Sequence, residues 1–241
     1  MNDALPPDPL IRSLSCLETS AVADAIEEFN VRLRNQGFSD ASIPCRFPSL
    51  PPMVGYAVTV QIRTASPPIK GSRHLEHADW WDAFEAVPTP RILVIEDVDR
   101  FPGAGSLVGE VHAHIFSALG TQGIVTNGSA RGLPTMEAMG IRLFSGGVSV
   151  SHSYAHIVGV GRTVRVGGLE VNPGDLLHGD RHGIVNVPRP LAARIPETAA
   201  RHQERNRRLI ELCASSDFSV PNLKRAIREN DFLPGLDNRP E

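Results

Sequence analysis

Apolar residues recur at spacings of three and four through Val22, Ala25, Ile26 and Phe29, which predicts a helix with one buried face and places Thr19 at its N-cap. From Asn35 to Pro52 the periodicity lapses. Pro44, Pro48, Pro51 and Pro52 fix φ and remove backbone donors there, so a wrapping loop is expected. Val54 to Ile62 alternates, which puts Val54, Tyr56, Val58 and Val60 on one face of a strand. Arg91 to Glu96 (RILVIE) is apolar almost throughout, as a strand covered on both faces must be. Between these strands, His74 to Val87 carries both tryptophans, Trp80 and Trp81, on a predicted short helix that serves as packing or as a lid.

After Glu96 the chain passes Gly103 and Gly105 into a helical pattern of Leu107, Val111, Ile115, Ala118 and Leu119, then a third strand at Gly123 to Thr126. Asn127-Gly128 is a turn signal, and Leu143 to Val150 reads as a further strand. Val164 and Val166, then Leu169 and Val171, alternate around Gly167-Gly168 in the pattern of a hairpin. Arg189 to Cys213 is charged and helix-compatible despite Pro196, and Leu223 to Ile227 predicts a last short helix. A strand, Gly-rich turn, helix, strand unit followed by hairpins means an α/β fold with a mixed sheet. One domain over 1–241 is expected, with a core at 17–188 and a helical extension at 189–241.

Charge narrows the function classes. Lys and Arg total 24 against 27 Asp and Glu, a net charge of −3, so no basic field exists to grip a nucleic-acid backbone. No stretch approaches the roughly 18 apolar residues of a membrane span, and Met1 to Leu10 is acidic and Pro-rich rather than signal-like, which together predict a cytoplasmic protein. Cys16, Cys45 and Cys213 are isolated and odd in number, so they read as small core residues rather than a disulfide or metal framework.

Two features carry chemistry. A strand that delivers a Gly-rich turn into a helix start presents free N–H groups and the positive end of a dipole, so Gly103 to Val111 suits a carboxylate or phosphate. The spacing matches neither a dinucleotide fingerprint nor a P-loop. Arg131, in the run TNGSARG after the third strand, offers a planar fork that can hold a carboxylate by two parallel hydrogen bonds. The histidines are weaker as ligands. His112 and His114 would diverge by about 200° on a helix. His152 and His156 would share a face only if their segment were helical. His178 and His182 lie among Asp175 and Asp180 in a stretch better read as turns.

The order VTV (58–60), ILVIE (92–96), GxxxGE (105–110), ALGTQGIVTNGSAR (118–131) and VGGLEVNPGDLLHGDRHGIVNVP (166–188) resembles the 4-hydroxy-4-methyl-2-oxoglutarate aldolase family. That family also holds the regulator of ribonuclease activity A and chains once labelled demethylmenaquinone methyltransferases. The resemblance spans roughly Leu17 to Pro188; its most specific marks are PGDxxxGDxxG at Pro173 to Gly183 and the twenty residues between Glu110 and Arg131. It implies a three-layer ββα sandwich of the swivelling, phosphohistidine-domain-like type, assembled as a homotrimer or hexamer with sites between subunits. It further implies a lyase that uses magnesium or manganese and releases pyruvate. By the same resemblance, Gly109, Glu110, Val111 and His112 contact a small oxo-acid, Arg131 holds it, and Glu110 orders a metal-bound water or moves a proton.

One departure stands out. The family follows its arginine with a metal-binding aspartate, where this chain has Gly132, and Asn127-Gly128 replaces an Asp-Gly turn. Hard cations take oxygen ligands, so a metal site here keeps only Glu110, acting through water. Two readings follow: a lyase cleaving 4-hydroxy-4-methyl-2-oxoglutarate-like substrates or decarboxylating oxaloacetate, and a catalytically silent binding or regulatory protein of the same fold. Methyl transfer to a quinone has no glycine fingerprint to support it.

Overall fold

In the computed structural model, residues 8–69 and 80–230 are described. The chain opens with helices α1 (Pro9–Ser15) and α2 (Thr19–Glu27). Thr19 is the first helical residue rather than the cap; Glu18 occupies the cap position without a side-chain bond, and the Thr19 amide donates to the Asp180 carboxylate at 2.8 Å. After the expected irregular segment come β1 (Met53–Arg63), α3 (Trp81–Glu85), β2 (Arg91–Asp97), α4 (Glu110–Ala118), β3 (Thr121–Ala130), α5 (Leu133–Ala138) and β4 (Arg142–Val148). There follow β5 (His156–Val160), β6 (Val164–Val166), β7 (Leu169–Val171), β8 (Leu176–Asp180) and β9 (Gly183–Val187). A 3₁₀ turn, Arg189–Arg194, leads into α6 (Ile195–Ala214), with Pro196 in its first turn where a missing N–H costs nothing, and then α7 (Val220–Asn230). The His74–Val87 prediction lies partly outside the described residues.

The main sheet runs β4-β3-β2-β1-β8-β9, with β5 also pairing to β1. Strands β1 to β4 are parallel neighbours, whereas β5 and β8 lie antiparallel to β1, so the sheet is mixed. Alternation along the strands builds two cores. Val58, Val60, Leu93, Ile95, Ile124 and Leu143 meet the helices through Phe84, Ala113, Phe116 and Met136. Their neighbours Ala57, Ile92, Val94, Val125 and Phe144 meet the small β6-β7 sheet through Val164, Val166, Leu169 and Val171. The layers are therefore sheet, sheet and helix, as the resemblance implied. A third cluster joins α1, α2 and α6 to β8 and β9 through Leu14, Val22, Val185, Val187 and Ile195.

Buried polar groups pin that last cluster. His178 Nε2 lies 3.1 Å from the Leu14 carbonyl, which can only accept, so Nε2 carries the proton and Nδ1 accepts from the Thr19 hydroxyl at 2.9 Å. Burial pushes the His178 imidazolium pKa down against that carbonyl bond. Burial pushes Asp180 the other way, but the amides of Thr19 and His182 and then their side chains outweigh it, holding the carboxyl below its ordinary value. Asp175 accepts from the Asn172 amide and the Asn186 side chain. The aspartates and histidines of the PGDxxxGDxxG run thus work as turn and docking groups.

Three expectations are corrected. Cys16 and Cys213 are exposed on terminal helical segments and are not core residues, whereas Cys45 is half-buried and packs against the core between the two sheets. Asn127-Gly128 does not turn the chain but lies within β3, at a register shift against β4. The buried face of α4 is Ala113 and Phe116, while Val111 is 70% exposed, because Trp80 and Phe84 supply an aromatic surface that selects the Phe116 side.

Candidate functional site

Parallel strands deliver their following loops to one edge of a sheet, where α/β folds bind ligands. Here β2, β3 and β4 end at Asp97, Ala130 and Val148, so the segments 98–109, Arg131 onward and 149–155 share that edge. Asp97, 2% exposed, anchors the first of them: its Oδ2 accepts from the Thr64 hydroxyl and the Gly103 amide, each at 2.8 Å. Asp99 takes the Thr64 and Ala65 amides and Arg63. Burial raises the Asp99 pKa, and those three donors together hold it below its usual value.

Within the glycine-rich turn the Gly103 amide is committed to Asp97 and the Ser106 amide to the Ser151 carbonyl. Further donors lie at the start of α4. Gly109 occupies its N-cap with no side chain to satisfy the first-turn N–H groups, while its carbonyl already accepts from Ala113. The amides of Glu110, Val111 and His112 begin a helix that carries the positive end of its dipole.

Arg131 reaches this spot. A Cβ built on Gly109 would stand 3.8 Å from Arg131 Nε and 3.8 Å from its Cγ, and one built on Gly132 would stand 3.0 Å from the Glu110 amide nitrogen. The guanidinium is half-buried and engages no described residue through a hydrogen bond or ion pair. Gly109, Glu110 and Arg131, predicted from sequence, therefore come together, with Gly132 packed under the helix start. Glu110 and Val111 present exposed side chains at the rim. His112 packs its ring into the aromatic cluster, stacked on Phe116 at 5.8 Å and edge-on to Trp80 at 6.5 Å. Trp80 is fully buried against Trp81, Phe84 and Phe116, so the tryptophan pair packs the helix layer.

The sequence did not place His152. Its ring lies 3.6 Å, by Cε1, from the same point above Gly109 and 6.5 Å from the His112 ring, while Nδ1 is 2.6 Å from the Ser106 carbonyl. Pairing it with His156 as a helical metal couple fails, since 151–155 is not helical and His156 begins β5. Only the position of the SHSY segment directly after a parallel strand could have pointed to it.

The residues present do not make the family's metal site. Gly132, at φ 70° and ψ 30°, supplies no ligand where the carboxylate belongs, and Asn127 spends its amide on the Asp97 backbone. Among the described residues no group of three or more His, Cys, Asp or Glu side chains could hold an ion. Among them too, no helix is long and apolar enough to cross a membrane.

Solved structures with this architecture include an uncharacterized protein from Pseudomonas syringae pv. tomato DC3000, at 25% identity and a TM-score of 0.70 over 95% of this chain and 99% of that one. A protein described as a novel cellulase from microbes of the gut ecosystem matches at 20% identity and a TM-score of 0.69, covering 86% and 90% of the two chains. RraAS2 of Streptomyces coelicolor, described as an unusual member of the RNase ES inhibitor RraA family, matches at 22% and 0.64, covering 85% and 97%. These descriptions differ, so the shared fold does not choose among chemistries. No curated protein matches the chain. Residues 19–186 match the RraA-like family, aldolase/RraA, and the chain belongs to it.

Proposed function

We propose that the protein binds a small 2-oxo acid at the start of α4 and cleaves it to pyruvate, as a lyase acting on a 4-hydroxy-2-oxo acid or a β-oxo dicarboxylate. The observation that carries this reading is the approach of Arg131, whose guanidinium engages no described residue, to a helix start at Gly109 with no side-chain cap. Bidentate pairing with Arg131 suits the substrate carboxylate, and the Glu110 and Val111 amides suit the 2-oxo oxygen. When the carbon–carbon bond breaks, charge collects on that oxygen, and donors already fixed in place stabilise it without reorganising. Glu110, exposed at the rim, would order a water beside the bound acid. The trimer belongs to the same proposal: Phe101, Val111, Val150 and Tyr154 are exposed apolar side chains on the segments that frame the pocket, a surface a neighbouring subunit would cover.

The test is pyruvate release from 4-hydroxy-4-methyl-2-oxoglutarate and from oxaloacetate, with Mg²⁺ or Mn²⁺ and with chelator, in wild type and Arg131→Ala. Turnover that falls by two orders of magnitude or so in the variant supports the lyase. A second reading, a binding or regulatory protein of the same fold, is favoured by Gly132, which removes the family's metal carboxylate. Oxo-acid binding without any turnover would select it.

A further inference from the structure

We propose that His152 is the proton-transfer residue of this pocket, a role that rests on the oxo-acid reading above. Its tautomer is set. Nδ1 faces the Ser106 carbonyl at 2.6 Å, and because a carbonyl can only accept, Nδ1 carries the ring hydrogen and the neutral ring keeps its lone pair on Nε2. No described residue engages Nε2.

The position is equally specific. Cε1, bonded to Nε2, and Nε of Arg131 both stand within 4 Å of the point above Gly109, at 3.6 and 3.8 Å. A substrate whose carboxylate meets Arg131 thus lies against the edge of the imidazole that carries Cε1 and Nε2. Of the other chargeable groups around the ring, His112 lies 6.5 Å away on α4 and is stacked on Phe116, while Glu110 opens that helix with its side chain exposed.

The segment bearing the ring is held on both sides. The Ser106 amide donates to the Ser151 carbonyl at 3.1 Å, the Ser153 amide to Ser151 Oγ at 2.9 Å, and the Tyr154 amide to the Thr64 carbonyl at 3.2 Å. The His152 carbonyl sits so close to Gly105 that a Cβ there would approach it to 2.3 Å. Such support is what a base needs to stay in register with its proton.

The step balances with substrate alone. Nε2 takes the proton of the C4 hydroxyl, and the O–H electron pair forms the C4 carbonyl. The C3–C4 pair shifts to the C2–C3 bond, leaving the enolate of pyruvate with its charge facing Arg131 and the helix amides. Nε2–H then returns the proton to C3, giving pyruvate, an oxo product and a neutral ring. Run on pyruvate itself, the same ring removes a methyl proton and exchanges it with solvent.

That exchange is the test, read by proton NMR of pyruvate in D₂O with the full chain, alongside pyruvate affinity. Wild type is expected to exchange the methyl protons. His152→Ala is expected to lower the exchange rate by about a hundredfold or more while pyruvate still binds, and added imidazole is expected to restore part of the rate. Unchanged exchange in His152→Ala overturns the assignment, as does a wild type that binds pyruvate without exchange, which leaves the oxo-acid pocket standing. Failure of wild type to bind any pyruvate removes both the pocket and the base.

Discussion

The side-chain amide of Asn127 pairs with the backbone of Asp97 as a strand residue would: Oδ1 accepts from the Asp97 N–H at 2.7 Å and Nδ2 donates to its carbonyl at 3.0 Å. This pair of hydrogen bonds fastens the end of β2 to β3 just where β3 shifts register, and from Asp97 the anchoring continues to Gly103. Restoring the family's acid by Asn127→Asp removes the Nδ2 donor and faces a carboxylate to a carbonyl. The expected cost is about 1–3 kcal/mol, for a buried acceptor left unpaired. A chain of this length should lose roughly 2–4 °C of melting temperature per kcal/mol, measurable by calorimetry. Thermal stability equal to wild type would show that the pair is incidental.

Gly132 combines a left-handed backbone with a close approach, since its φ is 70° and a Cβ would lie 3.0 Å from the Glu110 nitrogen. Gly132→Ala should destabilise by about 1–2 kcal/mol for the left-handed conformation alone. Gly132→Asp meets less backbone resistance, because aspartate visits that region more readily, and it returns a hard oxygen ligand beside the helix start. It is expected to confer or strengthen dependence on Mg²⁺ or Mn²⁺, read as metal-stimulated pyruvate release above the wild-type level. Metal titrations indistinguishable from wild type would mean that more than this carboxylate has been lost.

His178 makes stability depend on pH with a definite sign. Its folded pKa is lowered, chiefly by burial. Above the unfolded value of about 6.5, both states hold a neutral ring and the bonds to Leu14 and Thr19 contribute in full. As pH falls below that, the unfolded chain takes up a proton that the folded chain resists, so stability is lost. Urea midpoints should therefore drop between pH 7.5 and 5.5, and His178→Gln should flatten that slope while lowering the midpoint at pH 7.5. Asp180, also lowered, adds a loss only below its unfolded value of about 3.9.

What could be read from the sequence divides along physical lines. Strand interiors such as Val58 to Val60 and RILVIE were legible because alternation and unbroken apolar runs report burial directly. Arg131 and the helix start were legible because both belong to one strand, turn, helix, strand unit, where local order predicts a shared edge. The buried face of α4 was not, since it is chosen by Trp80 and Phe84 from a distant segment. Asn127-Gly128 misled because its turn propensity was overridden by pairing with Asp97 and β4. His152 was hidden for the same reason: its contact with Ser106 spans 46 residues and leaves no trace in local spacing.

Gly105 offers a way to disturb His152 without touching the ring. A Cβ at that position would stand 2.3 Å from the His152 carbonyl oxygen and 2.6 Å from Ser153 Cβ, far inside contact distance, so Gly105→Ala must push the 151–153 segment outward. Arg131 follows directly on β3, which pairs with β4 through Ala130 and Val148, and the Ala113 amide holds the Gly109 carbonyl at the start of α4, so neither depends on the 151–153 segment. Pyruvate affinity should then stay near wild type while methyl exchange falls tenfold or more, since a base displaced by about 1 Å can cost on the order of a hundredfold in rate. Gly161→Ala controls for the loss of a glycine, because a Cβ there meets nothing within 4 Å, although its φ of 63° strains the backbone. Should Gly105→Ala weaken binding and exchange alike, the segment would be supporting the whole pocket rather than positioning one imidazole.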